Sequence, residues 1–95
     1  MIVQDIQWIE AYDSYVKIRT RDRQYVHRMK MDELEAQLSP QHFLRIHRST
    51  IVRIDTIQSL QRHGANDYVL HLRQGPTFRV SRSRKENLKK RLGID

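Results

Sequence analysis

Cysteine is absent from the chain, which removes disulfides, thiolate metal sites and cysteine nucleophiles together and suits a reducing compartment. Only three glycines and two prolines occur, and no glycine-framed nucleophile elbow or phosphate-cradling loop is built from them. Aromatic residues make up 7%, without the closely spaced sheet aromatics that stack unpaired RNA bases. No apolar run approaches the roughly 20 residues that span a bilayer, and Met1 to Val3 are followed by Gln4 and Asp5 rather than by a signal-peptide core. The five histidines, His27, His42, His47, His63 and His71, show no i,i+4 helical pair and no carboxylate company of a zinc-hydrolase kind. These absences lead to the expectation of a cytoplasmic binding protein with no membrane contact: not an enzyme, with no metal and no cofactor.

Positive charge is what the chain has in excess. Eighteen Lys and Arg stand against eleven Asp and Glu, a formal net charge of +7 with a pI near 10.3, above the threshold of about 9 that flags nucleic-acid-binding domains. Ninety-five residues suffice for one domain, 1–95, with one modest core. Charge balance alone does not select a partner, so the position of the charge matters. Two segments concentrate it. Phe43 to Val52 sets Arg45, His47 and Arg48 among apolar and β-branched residues, and Arg79 to Arg91 carries seven cations against the single acid Glu86. A solvated helix face would interleave the signs.

Periodicity supplies the elements. Tyr15 to Thr20 alternates apolar with charged residues, which predicts a half-buried strand with Val16 and Ile18 inward. Arg21 and Asp22 turn it into a second strand over Arg23 to Met29, forming a hairpin. Met31, Leu34 and Leu38 are spaced as one face of a short helix, with acids in its first turns and Ser39-Pro40 ending it. This acidic helix reads as a prop for the core. Strand character returns from Phe43 through Leu60; His63 to Asp67 turns, and Tyr68–Leu72 and Thr77–Val80 complete the β region. Ser83-x-x-Glu86 predicts a capping box at the start of a last helix. Leu88 and Leu92 lie on the buried face of that helix, and Gly93 is placed just past its end.

The candidate contacts follow from residue chemistry. Arginine can bond two acceptors of a guanine edge, which selects Arg48 and Arg82 for base readout. Arg84 and Lys85 oppose the macrodipole of the last helix, a cost that a bound phosphate would offset; Ser81 and Lys89 join them. For Arg45, His47 and Arg48 the competing reading is an exposed strand face or a histidine bonded at the core edge. Ser14 and Tyr15 belong to a polar break, Tyr12-Asp13-Ser14-Tyr15, that serves equally as a turn or as a contact. Trp8, flanked by Ile6 and Ile9, reads as core.

The motif Phe43-x-Arg45-Ile46-His47-Arg48-Ser49-x-Ile51-Val52, then Ile57, Tyr68-x-Leu70-x-Leu72, Gly75, Val80-Ser81-Arg82, Leu88 and Leu92, resembles the LytTR (LytR/AlgR-type) DNA-binding domain of bacterial response regulators from Asp5 to Leu92. The resemblance implies a mainly β, β-rich α+β fold: an elongated sheet with one short helix in the middle and a C-terminal helix. It implies binding to double-stranded DNA, as paired direct repeats, by loop side chains that enter major grooves, for transcription regulation within a two-component system. Arg48 and Arg82 fall on the arginines of the His-Arg-Ser and Val-Ser-Arg motifs, and the first recognition loop falls at Tyr12 to Tyr15. Arg53 departs from the usual asparagine and either adds a phosphate contact or alters a local turn. The chain is expected to be a fragment of a larger regulator, with a receiver domain in that parent, or a standalone one; the isolated domain is expected to be monomeric or weakly dimeric. The alternative is a protein-interaction module of the same fold that sequesters a regulator without holding DNA.

Overall fold

The computed structural model describes residues 3–93. Strand β1 (Ile6–Tyr12) reverses through Asp13 and Ser14 into β2 (Tyr15–Thr20), which pairs in turn with β3 (Gln24–His27). The alternation read in Tyr15–Thr20 is kept, with Val16 and Ile18 buried. Asp13 makes the tight reversal possible by adopting φ 58, a left-handed conformation that a short polar side chain tolerates. Helix α1 (Met31–Gln37) buries Met31 and Leu34 and gives way to extended backbone at Leu38, two residues before Pro40, where the proline disfavours helix.

The remaining elements are β4 (Phe43–His47), β5 (Thr50–Arg53), β6 (Ile57–His63), β7 (Asp67–Leu72), β8 (Thr77–Val80) and helix α2 (Lys85–Leu92). The mainly β fold with a short middle helix and a C-terminal helix is present. Its strands divide between two antiparallel sheets, one ordered β3-β2-β1-β5-β4 and the other β6-β7-β8. The division falls at a 3-10 turn, Ile54–Thr56, which carries the chain out of the first sheet before β6 begins.

Two apolar clusters lie on opposite faces of the five-stranded sheet. Ile9, Val16, Ile18, Phe43 and Ile51 pack with Met31 and Leu34 of α1. Leu44, Ile46 and Val52 pack instead with Leu70, Leu72, Val80 and Leu88 of the second sheet and α2. The hairpin of β4 and β5 is therefore buried on both sides, which is why apolar residues stand side by side there, as Phe43-Leu44 and Ile51-Val52, where a strand buried on one face would alternate. Trp8, expected in the core, is half-buried: its ring packs at the edge of the second cluster, 6.0 Å from that of Phe78, and its indole N–H donates to Glu10.

The start of α2 corrects the capping box expected at Ser83-x-x-Glu86. Arg82–Arg84 form a 3-10 turn, the helix begins at Lys85, and no side chain caps it. An N-cap residue must be extended, and here the extended residue is Ser81; the Ser83 hydroxyl lies inside the turn and faces that of Ser81 at 3.4 Å. The other end agrees with expectation. Gly93 takes φ 72 and its N–H donates to the carbonyls of Lys89 and Lys90.

Leu88 is 1% exposed and is the buried residue of α2. Leu88→Ala is expected to lower the unfolding free energy by about 2–5 kcal/mol through the cavity left behind. Urea denaturation should show an earlier midpoint at an unchanged slope; a midpoint equal to that of the parent chain would contradict this packing.

Candidate nucleic-acid interface

Strand pairing brings two turns together at one end of the five-stranded sheet. Glu10 lies opposite Thr50 in the β1–β5 ladder, and the Ala11 N–H donates to the Ser49 carbonyl at 2.8 Å. The Asp13-Ser14 reversal and the Arg48-Ser49 reversal therefore stand side by side. Ser81 then joins them, because its N–H donates to the Ile46 carbonyl at 2.8 Å and so carries the segment 81–85 alongside β4. Ser14, Tyr15, His47, Arg48, Ser81 and Arg84, remote in sequence, are gathered by these three pairings. Tyr12 is 64% exposed and Tyr15 40%, which leaves two large rings at the tip.

His47 records the density of charge in this region. Burial first, then the cations Arg48, Arg79, Arg84 and Arg45, hold its pKa below the usual histidine value. Its Nδ1 accepts the Ser49 N–H at 3.2 Å and lies 2.9 Å from the Ser49 hydroxyl. A ring nitrogen that accepts an amide proton carries none itself, so the neutral ring has its proton on Nε2. His47 thus pins the turn through one nitrogen and has a donor on the other.

Arg82 is exposed, with its guanidinium 3.5 Å from Asp67, a surface pair weak enough for a competing anion to displace. Lys85 and Lys89 hold their ammonium groups 5.4 and 5.0 Å from the centre of the Tyr68 ring. Lys89, beside the Tyr68 ring, is the main cause of that hydroxyl's lowered pKa. Tyr68 is paired with Val80, directly before Ser81, so this second basic patch adjoins the first. Sequence reading placed Tyr68 in a strand and gave no signal that it would seat two lysines.

Two of the expected contacts are corrected by the geometry. Arg45 does not present its charge outward. Its side chain is 9% exposed, its guanidinium pairs with Asp32 and with Glu35, the latter at 3.0 Å, and it donates to the Arg48 carbonyl. Burial works against the charge, but the bonds from Asp32 and Glu35 outweigh it and raise the pKa further above its ordinary value. The same contact, through its hydrogen bond first, lowers the Asp32 carboxyl. Arg53 spends its donors on backbone, from Nε to the Ile6 carbonyl at 2.6 Å and from its terminal nitrogen to the Val3 carbonyl at 2.7 Å. Its guanidinium also lies 4.7 Å from the centre of the Phe43 ring. It sits at the end of β5 away from the Arg48 turn, roughly 10 Å along the strand at about 3.3 Å per residue. Of the two readings, these contacts are those of the local one.

The family model of the LytTr DNA-binding domain matches residues 1–93. The transcriptional regulatory protein YpdB of Escherichia coli K12 is 34% identical over 71 residues, covering 75% of this chain and 29% of that protein. The sensory transduction protein LytT of Bacillus cereus is 33% identical over 92 residues, covering 97% of this chain and 37% of that protein. A solved structure described as the LytTr DNA-binding domain of a response regulator from Bacillus cereus superposes with a TM-score of 0.87 at 25% identity, covering 96% of this chain and 84% of that one. The chain therefore spans about a third of the length of these full-length relatives.

Two outcomes follow from these contacts. His47, whose folded pKa is lowered, contributes stability that is complete above the unfolded value of about 6.5 and is lost as pH falls through the folded value. NMR titration of its ring should give a pKa below that of a free histidine, and His47→Gln should flatten the stability curve between about pH 7 and 5; a raised pKa would contradict the contacts described. Arg45→Met should speed hydrogen exchange at the turn amides Ser49 and Thr50 by roughly tenfold or more, and unchanged exchange would show that the turn is ordered without it.

Proposed function

Because the chain belongs to the LytTR DNA-binding domain family, and so is a DNA-binding domain for transcription regulation, we propose that it reads double-stranded DNA sequence-specifically through the two adjacent turns and the segment 81–85. The observation that carries this reading is their convergence: exposed Arg48, the N–H of neutral His47, and Ser81 with Arg82 and Arg84 all flank one end of the five-stranded sheet. Arg48 and Arg82 are assigned to base edges in the major groove, where a guanidinium meets two acceptors. Arg84, Lys85 and Lys89 neutralise phosphates, with Ser14, Tyr15 and Ser81 as hydroxyl contacts that fix register. Arg45 and Arg53 act by holding backbone, not by touching DNA.

The work is binding, with no bond made or broken. Affinity for a site positions or excludes polymerase. The unit of recognition is proposed to be a pair of direct repeats, each taken by one copy, while the isolated domain stays monomeric or weakly dimeric. A receiver domain elsewhere in a longer parent would supply the phosphorylation signal and stable dimerisation. No helix among the described residues is long and apolar enough to cross a membrane, and the proposed place of action is the cytoplasm.

Titration against cognate and random duplexes over a range of salt tests the assignment. About five phosphates neutralised by Arg84, Lys85, Lys89 and neighbouring cations of the 79–91 segment give a slope of log K against log salt near −4.5, at roughly −0.9 each. Arg82→Ala should cost about 1–3 kcal/mol on the cognate site and relax preference at one base pair, whereas Lys89→Ala should weaken both duplexes alike and shrink the slope by about one contact. Thermal melts of each variant establish that it is folded. A flat salt dependence, or equal losses on both duplexes for the two variants, would reject the reading.

A further inference from the structure

The strands that place the DNA-facing turns at one end place a second basic feature at the other. β1 and β2 meet the turns at Tyr12 and Tyr15; their opposite ends, at Trp8 and at Arg19 to Arg21, open onto a cleft of about 540 Å³. The far wall comes from the second sheet, through Arg73 and Gln74 of the turn joining β7 to β8. The backbone there is fixed to the 3-10 turn by the Arg73 N–H, which donates to the Thr56 carbonyl at 2.8 Å. The cleft thus straddles the junction between the two sheets.

Four arginines line it, Arg19, Arg21, Arg53 and Arg73, against the single carboxylate Asp55. Arg53 is committed to the carbonyls of Ile6 and Val3. The guanidinium groups of Arg19, Arg21 and Arg73 form no ion pair and donate no hydrogen bond among the described residues. Arg19 lies over the Trp8 ring, 6.0 Å from its centre. Like charges brought around one recess repel, and the planar fork of each guanidinium is suited to two oxygens of a phosphate or carboxylate. The recess is within the roughly 300–1,000 Å³ typical of small-ligand sites, and the amides of Gln4 and Gln74 add neutral donors at its rim.

We propose that this cleft binds a small polyvalent anion carrying two or more phosphate or carboxylate groups, held between Arg19 and Arg21 on one sheet and Arg73 on the other. The arrangement needs an occupant with separated anionic groups, because its cations come from opposite walls. A monovalent ion could satisfy only one side.

Trp8 is the only tryptophan and lines the cleft, so its fluorescence reports on the site directly. The chain should be titrated with inorganic pyrophosphate, and separately with citrate, at ionic strength held constant with sodium chloride. The expected result is a saturable change with a midpoint at or below about 1 mM, weakened at least tenfold in Arg73→Gln and in Arg21→Gln, whose side chains are exposed and whose loss leaves the core intact. The double variant Arg48→Ala/Arg82→Ala should bind both anions as the parent does, which separates this site from the DNA-facing end. No saturable signal beyond that of sodium chloride, undiminished binding in Arg73→Gln, or loss of binding in the double variant would each overturn the proposal. Displacement of pyrophosphate by random duplex from the double variant would assign the cleft to DNA and overturn it as well.

Discussion

Arg45 is the constraint on which the working end of the molecule depends. It leaves β4 on the face covered by α1, where Asp32 and Glu35 receive it, and its remaining terminal nitrogen reaches the carbonyl of Arg48. One side chain therefore ties a helix, a strand and a turn. A charged group this enclosed is tolerable only when its charge is countered; two carboxylates and a carbonyl take up its terminal nitrogens, while its buried Nε has no partner among the described residues. The acidic face of α1 has its use in this contact. Its carboxylates neutralise the Arg45 guanidinium, and they leave Arg48 exposed beyond it.

The second determinant is the burial of that hairpin on both faces. Phe43 and Ile51 look toward α1, while Leu44, Ile46 and Val52 look toward the second sheet and α2. A strand pair clamped from both sides cannot shift register without exposing one of the clusters. The positions of His47 and Arg48 are thereby fixed relative to Ser81, whose N–H bonds to Ile46. Rigid strands carrying exposed turns are the general arrangement by which a scaffold presents contact residues.

Much of this was legible in the order of residues. The alternation through Tyr15–Thr20, the spacing of Met31, Leu34 and Leu38, and glycine at position 93 each state their local structure, because each rests on a short-range rule of periodicity or backbone freedom. The fates of the cations were not so stated. Arg45 and Arg48 lie three residues apart in the same motif, and nothing local separates a buried clamp from an exposed contact. The difference lies in partners ten and thirteen residues earlier on another element. Arg53 is decided by carbonyls 47 and 50 residues away. The expected cap at Ser83 failed for a related reason: a 3-10 turn and the first turn of a helix draw on the same residue types, and only the extended backbone at Ser81 tells them apart.

The reversals at Asp13-Ser14 and Arg48-Ser49 and the short turn Arg82–Arg84 lie outside the two apolar clusters. Exchange of an exposed side chain at Ser14, Arg48 or Arg82 leaves the packing of Ile9, Ile46 or Leu88 as it was. On the proposed reading, preference for one operator over another can thus drift by single replacements, each tested on its own merits, while the architecture that carries them is inherited whole.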